Sequence, residues 1–165
     1  MATVLVVEDE EQVRVLAESF LQGEGHTTLS AATKEQALAL LEGQDTIDLL
    51  FVDLTIQGDP EAGAALASRA VELRPDLKVL YTSAQGATDG MMALFVKNSA
   101  FLPKPYTVDQ LTAIMLVKFG LGGTSPNKPA PKKPDGPALE DELKKTITAV
   151  EGPDGKYRPG PSPAG

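Results

Sequence analysis

The hydrophobic positions of the first 121 residues follow two alternating patterns. Continuous apolar runs, beginning with Val4-Leu5-Val6-Val7, are typical of strands that are buried on both faces of a sheet. Between these runs, apolar residues recur every three or four positions, which predicts helices with one buried face. The runs predict strands within 4–7, 27–31, 48–54, 79–81 and 101–102, and the spaced residues predict helices over 13–21, 33–41, 62–73, 88–97 and 107–119.

Five strands that alternate with five helices indicate a parallel sheet with helices on both faces. Thr33 with Gln36, and Thr107 with Gln110, have the spacing of capping boxes, which supports two of the predicted helix starts. In folds of this kind, functional residues lie beyond the carboxyl ends of the strands, near the point where the strand order reverses. The search for chemistry therefore begins directly after each predicted strand.

Proline content and charge both change after residue 121. Nine of the 13 prolines lie beyond it. Residues 1–121 carry 17 acidic and 8 basic residues, a net charge of −9, whereas 122–165 carry 6 acidic and 7 basic residues, a net charge of +1. We therefore predict one domain over 1–121 and a Pro/Gly/Lys-rich tail over 122–165. Apolar residues recur with helical spacing near its middle, so a short docking helix over 138–150 and a frayed tail both stay open.

Composition excludes several classes of function. The chain has no cysteine, which excludes thiolate catalysis and Cys-ligated metals, and its single histidine, His26, excludes a multi-His metal site. The net charge of −8 argues against a nucleic-acid or anionic-membrane partner. No run approaches the roughly 18 apolar residues of a membrane span, and no signal peptide is apparent. We therefore expect a cytoplasmic protein.

Chemically capable residues follow four of the predicted strands. Glu8 and Asp9 follow the first strand, Asp53 ends the third, Ser83 follows the fourth, and Lys104 follows the fifth between two prolines. Because the carboxyl ends of parallel strands meet at one edge, we expect these side chains to lie at one rim. An acid after a strand is often only a helix N-cap, and Asp9 fits that alternative. The conjunction at four strand ends favours a functional site.

Four segments of the chain resemble the receiver domain of two-component response regulators. They are Val4-Leu5-Val6-Val7-Glu8-Asp9-Glu10, Leu50-Phe51-Val52-Asp53-Leu54, Val79-Leu80-Tyr81-Thr82-Ser83-Ala84 and Phe101-Leu102-Pro103-Lys104-Pro105-Tyr106. The resemblance covers residues 3–119 and excludes the tail. It implies a flavodoxin-like fold, a (βα)5 doubly wound parallel sheet with strand order 2-1-3-4-5, and a phosphorylatable aspartate.

The resemblance assigns a role to each residue of the rim, and electrostatics supports the assignment. Two carboxylates about 4 Å apart repel by about 4 kcal/mol at an effective dielectric near 20, so three acids at one rim need a cation. Ligation by oxygen alone suits Mg²⁺, with Asp9 and Asp53 as direct ligands, Glu8 as a ligand through water and Thr55 through its backbone carbonyl. Asp53 is then the nucleophile that forms an aspartyl phosphate, and Lys104 offsets charge on the phosphoryl oxygens.

The resemblance also implies a switch. The Ser83 hydroxyl would donate to a phosphoryl oxygen, and its movement would leave space for the ring of Phe101, although plain core packing is the alternative for that ring. Thr55 and Gln85 would flank the phosphate and tune its hydrolysis. The bond between Lys104 and Pro105 is expected to be cis. Gln57 stands where many receivers carry proline, so the shape of the loop after Asp53 is open.

These features predict a single-domain response regulator that takes a phosphoryl group from a sensor histidine kinase or a histidine phosphotransfer protein and is not a conventional enzyme. The predicted fourth and fifth helices carry more apolar residues than one face needs, which suggests a partner or a homodimer on the surface of the fourth helix, fifth strand and fifth helix. Deeper packing is the other interpretation. Two alternative functions are a receiver-fold binding module that does not use phosphorylation, and a haloacid-dehalogenase-like phosphatase, which would need a second aspartate where Thr55 stands.

Overall fold

The computed structural model describes residues 2–122, 149–151 and 157–159 of the chain. Seven strands and five helices lie within this part. The strands are β1 (Thr3–Val7), β2 (Thr27–Ala31), β3 (Leu49–Asp53), β4 (Lys78–Ser83), β5 (Ser99–Pro103), β6 (Ala149–Glu151) and β7 (Tyr157–Pro159). The helices are α1 (Glu11–Gly23), α2 (Lys34–Glu42), α3 (Ala62–Leu73), α4 (Asp89–Met92) and α5 (Val108–Phe119).

The first five strands form one parallel sheet in the order β2-β1-β3-β4-β5. The predicted flavodoxin-like order 2-1-3-4-5 is therefore confirmed. The strand order reverses at β1, which lies between β2 and β3, so the carboxyl ends of β1 and β3 border the crevice at which such folds place their ligands.

The sheet separates two hydrophobic cores. One core lies between the sheet and helices α2, α3 and α4, and it includes Leu50, Leu66 and Phe101. The other lies between the sheet and helices α1 and α5, and it includes Phe51, Leu21 and Ile114. Every residue of β3 is buried, as the continuous apolar run predicts for a strand covered on both faces. This central strand ends at Asp53.

Both threonines of the predicted capping boxes cap a helix, although only the second box is reciprocal. The Thr33 hydroxyl accepts a hydrogen bond from the backbone N–H of Gln36 (3.1 Å) at the start of α2. At the start of α5, Thr107 and Gln110 complete a reciprocal capping box. This second box fixes the first turn after the segment that carries Lys104.

Helix α4 is much shorter than the predicted span of 88–97. Thr88 caps it by accepting from the backbone N–H of Met91 (3.2 Å), but the helix ends at Met92. The backbone N–H of Val96 donates instead to the hydroxyl of Tyr81 on β4 (3.1 Å), so that group does not extend the helix. Asn98 has a left-handed φ of 57°, and β5 starts directly after it, two residues earlier than predicted.

The short strands β6 and β7 pair with each other in antiparallel orientation. β6 lies beside β5, and β7 lies beside α4. Residues 138–148 of the predicted tail helix lie outside the described residues, whereas Ala149 and Val150 belong to β6 and are not helical. Within the described part of the chain, no helix is long and apolar enough to cross a membrane.

Candidate functional site

Three acidic side chains meet at the carboxyl ends of β1 and β3. One carboxylate oxygen from each of Glu8, Asp9 and Asp53 lies within 4.8 Å of the others. Val7 of β1 pairs with Val52 of β3. Glu8 follows Val7 and Asp53 follows Val52, so these two acids lie at the same level of the sheet. Glu8 and Asp53 are buried, with 5% and 7% of their surfaces exposed, whereas Asp9 is exposed.

Lys104 brings the opposite charge to this cluster. Its Nζ lies 2.5 Å from Oε2 of Glu8 and 2.6 Å from Oδ2 of Asp53. The bond between Lys104 and Pro105 is cis, as expected, and the backbone N–H of Lys104 donates to the carbonyl of Ser83 (3.0 Å). The backbone of Lys104 is thus anchored to the end of β4, and its side chain reaches the two buried acids.

Burial and ion pairing act on these groups in opposite directions. Burial alone would lower the pKa of Lys104, but its hydrogen bonds to Asp53 and Glu8 outweigh burial, and the pKa is raised. Burial raises the pKa of Glu8 to about 7; the hydrogen bond from Lys104 opposes this rise and the nearby Asp53 adds to it. Three acids share one base, so the cluster favours a further cation.

The donor set of the cluster fits a hard divalent cation. All three groups offer carboxylate oxygens, which suits Mg²⁺ with its octahedral shell at about 2.1 Å. Oxygens that already lie within 4.8 Å of one another need only small side-chain shifts to share one ion. Oδ1 of Asp53 accepts from the backbone N–H of Thr55 (3.0 Å), so the residue proposed as a carbonyl ligand already contacts this carboxylate.

Ser83 lies beside the cluster at the end of β4. Its neighbour Thr82 pairs with Asp53 in the sheet, so Ser83 stands one residue beyond the level of Asp53 on the adjacent strand. Ser83 is buried, and its hydroxyl oxygen accepts from the backbone N–H of Gln85 (3.2 Å). Accepting this bond leaves the hydroxyl hydrogen of Ser83 available for donation.

Phe101 lies in the hydrophobic core. It is fully buried in the core on the α4 side of the sheet, where its ring centroid lies 6.2 Å from that of Phe95. Phe95 in turn stacks on Tyr81 with centroids 4.0 Å apart. We call Tyr81, Phe95 and Phe101 the ring stack. In this structure the ring of Phe101 packs in the core, and its role as a switch residue stays a prediction.

Two contacts at the site were not predicted from the sequence. The backbone N–H of Gln57 donates to Oδ2 of Asp9 (2.9 Å), which ties the loop after β3 to the acidic cluster. Gln57 and Gly58 have φ values of 52° and 80°, and Ile56 and Asp59 exchange two backbone hydrogen bonds around them. Two consecutive residues with positive φ form a tight turn, and a glycine at the second of these positions is its sequence signal.

Gly63, in the first turn of α3, is the second contact that was missed. A Cβ atom at this position would lie 2.2 Å from the carbonyl oxygen of Asp53 and 2.6 Å from Cα of Leu54. The backbone N–H of Gly63 also donates to the carbonyl of Leu54 (2.9 Å). The start of α3 therefore packs directly against the backbone of the buried aspartate, and only glycine fits there. In the sequence, a glycine in the first turn of a predicted helix is the one sign of this close packing.

Tyr106 closes the site on the side of α1. Its ring meets Phe51 and Phe20 edge-on, with centroid distances of 5.7 and 6.5 Å. Burial raises the pKa of the Tyr106 hydroxyl, and the nearby charges of Glu8 and Asp53 add to that rise. Tyr106 therefore stays protonated beside the acids.

Comparison with known proteins gives one consistent family. The family model described as the response regulator receiver domain matches residues 4–116. The chain is 34% identical over 115 residues to the sensor kinase CckA of Brucella abortus, covering 67% of this chain and 12% of that protein. It is 30% identical over 114 residues to the transcriptional regulatory protein CpxR of Klebsiella pneumoniae, covering 68% of this chain and 47% of that protein. The chain thus spans less than half of either relative.

Solved structures agree with the sequence matches. A response regulator receiver protein from Sinorhizobium medicae superimposes with a TM-score of 0.62 at 28% identity, covering 70% of this chain and 90% of that chain. The receiver domain of the hybrid histidine kinase CckA superimposes with a TM-score of 0.58 at 30% identity, covering 70% of this chain and 97% of that chain. These similarities concern the five-stranded domain.

Proposed function

The chain belongs to the response regulator receiver family, and from this premise we propose that it works in phosphorelay signalling by accepting a phosphoryl group on Asp53. The observation that supports this proposal most directly is the position of Lys104, whose Nζ bridges Glu8 and Asp53 at the carboxyl edge of the sheet. A lysine placed in this way can neutralise an anion that arrives at Asp53. That the protein acts as a single-domain response regulator stays a prediction.

In the proposed reaction, a carboxylate oxygen of Asp53 attacks phosphorus on a phosphohistidine of a sensor kinase or a histidine phosphotransfer protein. The bond between phosphorus and the histidine nitrogen breaks, and an aspartyl phosphate and a free histidine result. Lys104, which contacts Oδ2 of Asp53 before transfer, would move its ion pair to a phosphoryl oxygen. The N–H of Thr55 keeps the other carboxylate oxygen in place.

The acidic cluster would hold the Mg²⁺ ion that this transfer uses. Asp9 and Asp53 would bind it directly, Glu8 through a water molecule and Thr55 through its backbone carbonyl. Bound there, Mg²⁺ would offset negative charge on the transferring phosphoryl oxygens. The exposed side chain of Asp9 would be the part of the cluster that a cation meets first.

Ser83 would respond to phosphorylation, and Thr55 and Gln85 would affect how long the phosphoryl group persists. The hydroxyl hydrogen of Ser83 can turn toward a phosphoryl oxygen, because the oxygen of that hydroxyl accepts from Gln85 in the unphosphorylated state. Movement of Ser83 would open space that Phe101 can enter from the ring stack. Thr55 follows β3 and the exposed Gln85 follows β4, and from these two loops they would tune the lifetime of the phosphate.

We place the output of the switch on the surface of α4, β5 and α5, as a contact with a protein target or a second copy of the chain. Four apolar residues of the last helix are buried, which agrees with the deeper-packing interpretation; they are Leu111, Ile114, Met115 and Phe119. Leu94, which follows α4, and Val117, on α5, are exposed, with 53% and 46% of their surfaces accessible to solvent. Two half-exposed side chains give a partner a small apolar contact.

Labelling with a small phosphodonor tests the proposal. The chain is incubated with Mg²⁺ and an acyl phosphate, and its intact mass is measured. We expect the mass to rise by one phosphoryl group in the native chain and in Asp45→Asn, a control at an exposed acid distant from the site, but not in Asp53→Asn. A native chain that stays unmodified would favour the receiver-fold binding module. Steady release of phosphate from a simple phosphate monoester would favour a phosphatase.

A further inference from the structure

The strand pair β6–β7 lies against the same surface that the proposed function assigns to output. β6 lies beside the edge strand β5, and β7 lies beside α4. The pair comes from the segment after residue 122, which lies outside the span 4–116 matched by the family model. The pair is therefore a feature of this chain that the family match does not explain.

Each of the elements in this contact is weak by itself. β6 and β7 have three residues each, and a two-stranded pair is marginally stable in water unless it packs on another element. Helix α4 has only four residues, far below the length at which an isolated helix is stable. β5 is the edge strand of the sheet, with one side unpaired by the other four strands. Contact between the pair and these elements would stabilise all of them.

Charge favours the same contact. The segment over 122–165 carries a net charge of +1, whereas residues 1–121 carry −9. Attraction between the tail and the acidic domain adds to the backbone packing and should weaken as salt is added.

The ring stack links this surface to the phosphorylation site. Phe95 lies three residues after the end of α4, Phe101 lies on β5, and Tyr81 lies on β4 two residues before Ser83. The hydroxyl of Tyr81 also holds the backbone of Val96 just before β5. A movement of Ser83 that reaches Phe101 would therefore change the backbone on which β6 and β7 rest.

We propose that β6–β7 is an intramolecular cover of the α4–β5 surface, which a protein partner has to displace and which phosphorylation of Asp53 loosens. The second part rests on the proposed function, and the first does not. Because coupling between two sites is reciprocal, a cover that loosens on phosphorylation also resists phosphorylation while it is in place. The cover would thus keep the output surface closed until the phosphoryl group arrives.

Paramagnetic relaxation in the full chain tests the cover directly. The chain contains no cysteine, so Glu151→Cys at the end of β6 carries one nitroxide label at one site. We expect loss of NMR peak intensity for the amides of α4 and β5, and little loss for α2. A matched label at Glu35→Cys on α2 should give the reverse pattern, because α2 lies near the opposite edge of the sheet. Intact α4 and β5 peaks with the label on β6 would overturn the cover.

A second variant tests whether strand pairing carries the contact. Val150 pairs with Arg158 at the centre of β6–β7. Val150→Pro removes a backbone N–H and disfavours the strand, whereas Val150→Thr keeps a strand-forming residue. In the Glu151→Cys background, the intensity loss at α4 should disappear with Val150→Pro and persist with Val150→Thr. An intensity loss that survives Val150→Pro contradicts a paired cover.

Beryllium fluoride with Mg²⁺, used as a phosphoryl mimic, separates the two parts of the proposal. We expect amide shifts near Asp53 together with recovery of the α4 and β5 peaks in the labelled chain. Amide shifts near Asp53 without that recovery would overturn the coupling between phosphorylation and the cover. Absence of any shift near Asp53 would contradict the proposed function, whereas the intensity loss measured before addition would still support the cover.

Discussion

Nζ of Lys104, at the end of β5, lies 2.6 Å from Oδ2 of Asp53, at the end of β3, across the intervening strand β4. Adjacent strands lie about 4.8 Å apart, so this contact joins backbones that are roughly 10 Å apart. The long side chain of lysine covers that distance and ties the edge strand to the centre of the sheet. Among the described residues, it is also the one base that forms an ion pair with the carboxylates of Glu8 and Asp53.

Replacing Lys104 with methionine should therefore destabilise the protein. Lys104→Met keeps the length of the side chain but leaves Glu8 and Asp53 buried without a base. Breaking a buried ion pair costs about 3–5 kcal/mol, and we expect a smaller loss, about 2 kcal/mol, because one acid can take up a proton. Urea unfolding with and without Mg²⁺ measures the effect, and Mg²⁺ should restore part of the lost stability.

The control for this prediction is Lys97→Met, which removes a charge at an exposed position near the same strand. Surface substitutions of this kind usually change the free energy of unfolding by less than about 0.5 kcal/mol. Equal stability of the two variants would show that the ion pairs of Lys104 contribute nothing to folding. Absence of any stabilisation by Mg²⁺ in both variants would argue against a cation at the acidic cluster.

Gly63→Ala should disturb both the fold and the site. The added Cβ would lie 2.2 Å from the carbonyl oxygen of Asp53, so α3 or the end of β3 has to move. Overpacking of this kind costs about 1–3 kcal/mol. The melting temperature and the rate of phosphorylation by an acyl phosphate should both fall. Gly23→Ala at the end of α1, where no atom lies within 4 Å of the new Cβ, should leave both unchanged or raise stability.

Gly58→Ala tests the tight turn that holds Asp9. Gly58 has a φ of 80° and open space around it, so an added methyl group acts through the backbone alone. The left-handed region costs an L-residue about 1–2 kcal/mol, and we expect a loss of stability of that order. Mg²⁺ affinity, measured by titration calorimetry, should fall as well, because the N–H of Gln57 positions the carboxylate of Asp9.

A substitution at Gln57 that favours the left-handed conformation supplies the control for the turn. Gln57 has a left-handed φ of 52°, a conformation that asparagine adopts more readily than glutamine does. Gln57→Asn keeps the backbone N–H that binds Asp9 and should be as stable as the native chain or slightly more stable. A Gly58→Ala variant with native Mg²⁺ affinity would show that the turn does not position Asp9.

The sheet was predictable because its signal is local. Val4-Leu5-Val6-Val7 and Leu49-Leu50-Phe51-Val52 are apolar on both faces, which few other structures allow, and the chemistry follows those runs directly. The meeting of Glu8, Asp9, Asp53 and Lys104 at one rim follows from parallel strands whose carboxyl ends share an edge.

What could not be predicted depends on contacts between distant residues. The end of α4 depends on a bond from Val96 to the hydroxyl of Tyr81, fifteen positions earlier in the chain. The hold of Gln57 on Asp9 spans 48 positions, and no local pattern encodes it. The sequence left a helix or a frayed tail open at Val150, which instead pairs with Arg158 as a strand because strand pairing overrides the local periodicity.

His26 should make stability depend on pH. Its Nδ1 accepts from the backbone N–H of Ala2 (3.2 Å), which requires the neutral ring. Burial lowers the pKa of His26 below the ordinary value of 6.5, the amino terminus of the chain lowers it further, and Glu24 opposes both. Because the folded pKa lies below the unfolded one, this stability is complete above pH 6.5 and is lost as the pH falls through the folded pKa. Urea unfolding of the native chain and of His26→Gln across this range isolates the effect from the carboxylates. The difference in stability between the two chains should shrink as the medium becomes acidic, and a constant difference would show that the ring does not titrate on unfolding.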